Sequence, residues 1–169
     1  VSVSVSVSVS VAAAAAVAPK QEGVSVYQLP SGLKYLELQT GNGPSPRYGQ
    51  LCSIQYTSYI KLPSSSNDPN PTPVKFDSPA AYLIKHGNGR QVAGLDQGLH
   101  TMKVGSRRRI LVPPKLGYVD LGLGPIPEYP WDRWRLNNML DRMIELQGGT
   151  VVFEVKLLSV IDDEADQGY

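Results

Sequence analysis

Two short stretches hold the side chains that could do chemistry. VKFDS, at 74–78, sets an aromatic ring beside a carboxylate, and RRRILVPPKLGYVDLGLGPIP, at 107–127, carries a lone tyrosine, Tyr118, in a Gly/Pro-rich loop. A carboxylate is costly to bury without a partner, so Asp77 is a candidate for more than packing; a turn cap shared with Ser78 is the alternative. Two prolines, Pro113 and Pro114, end a strand because neither can donate to a ladder, and Gly117, Gly122 and Gly124 leave the following backbone free to pass close to a ligand. A loop so long and apolar after a strand reads as a binding wall. The reagents of metal chemistry are not assembled: His86 and His100 are the only histidines and lack ligand-like spacing. The single cysteine, Cys52, excludes an internal disulfide and a cysteine-built zinc site.

The elements that must position these residues are legible in turn. The chain has 169 residues, 41% hydrophobic, enough for one domain with a core and an appendage. A net charge of +1 with mixed signs shows no basic surface for nucleic acid. Glycine (16) and proline (14) make up nearly a fifth of the chain, favouring short strands and turns over a helical bundle. Residues 1–23 form a low-complexity extension, five Val-Ser pairs followed by VAAAAAVAP. Its A-V-A resembles a small-residue processing site, which makes it the tail end of an export signal such as the thylakoid-transfer part of a plastid transit peptide, or else a disordered extension. From Val24 to Ile161 a domain follows. LCSIQYTSYI alternates, with Cys52, Ile54 and Tyr56 on one face. KLPSSSNDPNPTP is a polar loop, AYLIKHG a strand, and GLDQGLHTMKVGS a short helix closed by Gly105 with Leu95, Leu99 and Met102 as its core face. In the strand from Arg107, alternation points Ile110 and Val112 inward; Arg108 shares their side and is a candidate to pair with a carboxylate. TVVFEVKLL is the last strand, and the acidic residues 162–169 are expected to fray. The D-E-A-D string there is coincidental, because no GxxxxGK[ST] accompanies it, and GNG at 41–43 is a turn followed by prolines.

Taken together, the PSGL turn, the GxGxxPxxGQ run, the strand bearing Tyr56, the FDS, QVAGLDQGL entering the helix, and the Tyr118 loop resemble, in that order, the FK506-binding-protein type of peptidyl-prolyl cis–trans isomerase over about residues 31–160. The resemblance implies an α+β fold: a twisted antiparallel sheet wrapped around one short helix. It implies cofactor-free isomerisation of Xaa-Pro bonds in proline-containing polypeptides, with no metal and no nucleic acid. It assigns apolar walls to Tyr56, Phe76, Tyr82, Val92, Leu95, Ile126 and Phe153, a buried carboxylate to Asp77, and to Tyr118 a hydroxyl that bonds a ligand carbonyl. Gln91 stands beside Val92, whose backbone N–H would be the second carbonyl donor. Phe76, Tyr82 and Phe153 would also serve as plain core.

Several residues depart from the pattern. Ser58 stands where glycine is usual, Leu95 replaces a tryptophan floor, and Val119 follows the loop tyrosine in place of glycine. Residues 128–149 far exceed the usual connection. There Trp131, Trp134, Leu136, Met139, Leu140, Met143 and Ile144 recur at helical spacing up to Gly148-Gly149, predicting an inserted amphipathic helix over about 130–147. Its stripe either packs on the sheet rim or, through Trp131, Trp134, Met139 and Met143, docks a partner. A plastid address would make that partner a photosynthetic complex, and the chain would then be an isomerase-like assembly factor.

Overall fold

The computed structural model describes residues 25–167, so the low-complexity start and its export-signal reading lie outside the described residues. Seven strands, β1 (Val26–Gln28), β2 (Lys34–Gln39), β3 (Leu51–Lys61), β4 (Val74–Asp77), β5 (Tyr82–Lys85), β6 (Arg107–Val112) and β7 (Thr150–Ile161), form one antiparallel sheet in the order β1-β2-β6-β7-β3-β4, with β5 paired to β3 beside β4. Helix α1 (Ala93–His100) enters from β5, and α2 (Pro130–Glu145) is the insertion. The expected α+β class is the observed one. The alternation along β3 buries Cys52, Ile54, Tyr56, Ser58 and Ile60 on one face. The register sets Tyr56 opposite Val155 and Ile110 opposite Phe153, so three strands give one apolar surface.

That surface is closed by α1, with Leu95 and Leu99 fully buried. The helix ends at His100, before the expected stop near Gly105. The Met102 N–H turns back to the Leu99 carbonyl (3.0 Å), dropping Met102 into the core, and Gly105 takes its positive φ of 89° in the turn before β6. Arg108 is buried and fully engaged. It pairs with Glu37 at 2.7 Å, donates to the Gly98 carbonyl and the Thr101 hydroxyl at 2.8 Å, and lies 4.0 Å over the Tyr35 ring. A helix leaves its last carbonyls without intrahelical donors, and this guanidinium supplies one to α1. The start of the acidic tail is tied down: Gln50 donates to Asp162 at 2.8 Å and Lys85 pairs with Asp163 at 2.9 Å. The Gly124–Pro125 bond is cis. Among the described residues no helix is long and apolar enough to cross a membrane.

Candidate active site

The site lies where the partner of β3 changes. Residues Leu51–Ile54 pair with β5 and Ser58–Ile60 with β4, so Tyr56 stands at the break between two short strands. Asp77 ends β4 and Tyr82 begins β5, which brings both to that break. The Tyr56 hydroxyl donates to Asp77 Oδ2 at 2.5 Å, and the Ser78 N–H donates to Asp77 Oδ1 at 2.9 Å. Asp77 is half-buried, not fully buried as expected, and its carboxylate is shared between the Tyr56 hydroxyl and the amide of the adjoining turn. Ser58, in the glycine position, donates from Oγ to the Asp77 carbonyl at 3.3 Å. Tyr56 meets Tyr82 edge-on (5.7 Å between centroids) and Phe153 edge-on (6.0 Å), while Phe76 meets Tyr118 edge-on (6.4 Å). Burial first, then the Asp77 bond, pushes the Tyr56 hydroxyl well above the ordinary tyrosine range; burial does the same to Tyr118 and, to a lesser degree, Tyr82. All three stay protonated donors at neutral pH.

A cleft of about 750 Å³ opens over Tyr56, Phe76, Asp77, Tyr82 and Ile126. Its far rim is the insertion, through Tyr129, Asp132 and Arg135 of the helix and its approach. Val92, Leu95 and Phe153, expected on the same wall, do not reach the cleft; each is wholly buried. Tyr118 lies instead between its loop and α2. The two carbonyl donors are also engaged within the chain. Val92 N–H donates to the Gly124 carbonyl at 2.8 Å, and the Tyr118 hydroxyl donates to the Pro125 carbonyl at 2.7 Å. Gly124 does require the absence of a side chain, yet what an added Cβ would meet is Gln91 Oε1 (2.6 Å) and the Tyr82 hydroxyl (3.0 Å) of the same chain. Gln91 Oε1 is buried and has no hydrogen-bond partner among the described residues.

The stripe expected on α2 divides in two. Leu136 and Met143 are buried and Met139 and Leu140 pack against the core, the i, i+3, i+4, i+7 face of one helix. Met139 and Met143 therefore face the domain and offer nothing to a partner. Trp131, Trp134 and Ile144 point outward, with Trp131 stacked on Tyr129 at 5.0 Å. Arg133, which no sequence signal singled out, donates from Nε to the Pro127 carbonyl at 2.6 Å and so fastens α2 to the loop. Outside the site, the buried His86 links the half-buried Asp96 (2.6 Å) to the exposed His100 (2.9 Å), and the ring of Tyr48 stacks on both imidazoles.

A sheet that splits its edge over a tyrosine–aspartate pair and packs one short helix on that face defines a class. Residues 43–158 match the family model described as FKBP-type peptidyl-prolyl cis-trans isomerase, and the chain belongs to that family. It is 32% identical over 113 residues to the chloroplastic peptidyl-prolyl cis-trans isomerase FKBP16-3 of Arabidopsis thaliana, covering 64% of this chain and 46% of that one. It is 28% identical over 134 residues to FK506-binding protein 1 of Aspergillus oryzae, covering 76% and 98%. Among solved structures, FkpA from Escherichia coli superposes with a TM-score of 0.53 at 22% identity, over 85% of this chain and 54% of that one. The chain spans 28%, 46% and 59% of the lengths of three of the curated relatives it matches.

Proposed function

We propose that this chain is a cofactor-free peptidyl-prolyl cis–trans isomerase acting on Xaa-Pro bonds of polypeptides and thereby assisting their folding or assembly. The observation that carries the reading is the Tyr56–Asp77 pair at the floor of an aromatic cleft within an FKBP-type sheet. The uncatalysed barrier, roughly 18–20 kcal/mol, comes from amide resonance. Twisting the C–N bond removes that resonance and leaves a less polar group, so an apolar enclosure favours the twisted amide over the planar one. Tyr56, Phe76 and Tyr82 supply the aromatic enclosure, Phe153 packs against Tyr56 from the core, and Asp77 fixes the Tyr56 ring. Ile126 adds an apolar wall. Tyr118 and the Val92 N–H are carbonyl donors once the Pro125 and Gly124 carbonyls they now hold are displaced, while Gln91 lies at that bridge and Leu95 backs the wall from the core. The test is the cis-to-trans rate of a Xaa-Pro peptide. Wild type is expected to accelerate it, and Asp77→Val and Phe76→Ala to lower kcat/KM by about ten-fold or more, equivalent to ~1.4 kcal/mol of transition-state stabilisation. No acceleration at any protein concentration sinks the reading.

The chloroplastic names of several relatives support a chloroplast location, and the export-signal reading of the first residues supports the thylakoid lumen. Fractionation of isolated chloroplasts tests both; recovery in the stroma alone removes the lumen. The exposure of Trp131 (61%) and Trp134 (68%) supports α2 as a contact for a photosynthetic complex. Trp131→Ser with Trp134→Ser should abolish co-sedimentation with solubilised thylakoid complexes, and unchanged co-sedimentation removes that role.

A further inference from the structure

Three hydrogen bonds seat Gly124–Pro125 against the residues assigned to substrate. The Gly124 N–H donates to the Arg90 carbonyl at 2.8 Å, the Val92 N–H to the Gly124 carbonyl at 2.8 Å, and the Tyr118 hydroxyl to the Pro125 carbonyl at 2.7 Å. The first two make Gln91 and Gly124 partners in a parallel bridge. A backbone N–H and a phenol each have one proton to donate, so while the segment is seated neither group can bond a substrate carbonyl. The burial agrees: Gly124 and Pro125 are buried, and Val92, Leu95 and Phe153 have no exposed surface left for a substrate to touch. The seat is secured from outside by the insertion, through the 2.6 Å bond from Arg133 to the Pro127 carbonyl, two residues past Pro125.

We propose that the Gly124–Pro125 segment is an internal occupant of the isomerase site, latched by α2 through Arg133, and that a polypeptide substrate must displace it. The proposal rests on the isomerase reading given above. It makes the binding-competent state a fraction of the whole, so apparent affinity falls by that fraction. It also gives the insertion a role in setting activity that needs no partner.

Two variants and one exchange measurement test it. Arg133→Ala removes the latch from outside the cleft. One internal hydrogen bond is lost, so hydrogen exchange of the Gly124 N–H should speed up by about two- to ten-fold and kcat/KM should rise by a similar factor. Gln91→Cys with Gly124→Cys places two thiols across the bridge, where the space for a Gly124 side chain points at Gln91. Oxidised with glutathione disulfide, this variant should lose at least about nine-tenths of its activity, and dithiothreitol should restore it. The buried Cys52 does not compete. Equal activity in the oxidised, cross-linked and reduced forms overturns the proposal and leaves the isomerase standing. So does a Gly124 N–H in wild type that exchanges as fast as an open loop. A protected Gly124 N–H with no acceleration from wild type, Arg133→Ala or the reduced variant overturns the isomerase reading, and with it the substrate half of this proposal.

Discussion

Asp77 and Tyr118 stand out because their polar atoms require partners that ordinary packing does not provide. Asp77 satisfies its carboxylate with one tyrosine hydroxyl and one turn amide, and Ser58 steadies its backbone. The need for a partner, and the Ser78 turn as one answer, were legible in FDS, and the strand pattern turned Tyr56 inward. That Tyr56 is the other partner and that Ser58 reaches the Asp77 carbonyl were not, because both depend on the register of β3 against β4. The fate of the Tyr118 hydroxyl was not legible. Its acceptor is a backbone carbonyl seven residues on, and carbonyls carry no sequence signature. Gly124 was the nearest clue: its freedom of approach is used against Gln91 and Tyr82 of the same chain. Tyr118→Phe separates the two jobs of that hydroxyl. Loss of the bond to Pro125 should speed Gly124 N–H exchange by about two- to ten-fold, whereas loss of a carbonyl donor in the twisted state should lower kcat/KM by about ten-fold. Arg133→Ala moves exchange the same way and kcat/KM the opposite way. A Tyr118→Phe protein with raised kcat/KM would remove Tyr118 from the substrate contacts and keep it as a latch.

The elements followed the periodicities closely, because β3, β6 and β7 each bury one face and a one-residue slip would expose it. The insertion was harder. Its sequence showed helical recurrence all around, and recurrence alone cannot say which of two apolar arcs meets the domain. Contact with the loop and with β4 settles it, burying Leu136 and Met143 and leaving both tryptophans outside. The two arcs should therefore behave differently on truncation. Leu136→Ala is expected to cost about 2–4 kcal/mol in urea unfolding, as for other buried leucines, while Trp134→Ser should stay within about 0.5 kcal/mol. If Leu136→Ala proves neutral, α2 is not packed as described, and the latch through Arg133 loses its support.

At the scale of the molecule, the site exists because one long strand, β3, is shared by two short neighbours instead of one. The gap between them, Ser78–Ala81, opens the cleft over Tyr56; the sequence separates VKFDS from the AYLIKHG strand there, but no local signal shows that both short strands share β3, which follows from the pairing of Leu51–Ile54 and Ser58–Ile60 with different partners. The same pairing places Cys52, near the start of β3, opposite both Ile84 and Val160, with no exposed surface. Burial, with a smaller contribution from Asp96, pushes the thiol up to about 11. The folded pKa is thus raised above that of an unfolded cysteine, near 8.5. Between those values the unfolded chain has lost a proton that the folded one keeps, so stability from this group is intact at neutral pH and declines as pH rises through that window. The thiol is also a probe of the whole sheet, since only the thiolate reacts and only an opened β3 exposes it. Iodoacetamide at pH 8 should leave the native protein unlabelled for hours and label it fully in concentrated urea. A Cys52→Ser protein, which buries a hydroxyl in the hydrophobic core opposite Ile84, should be less stable at neutral pH by about 1–3 kcal/mol. It should also lose the alkaline decline attributable to the thiol. Rapid labelling of the native protein would mean that β3 opens at its β5 end, and the cleft would then be set by a mobile edge in place of a fixed break in pairing.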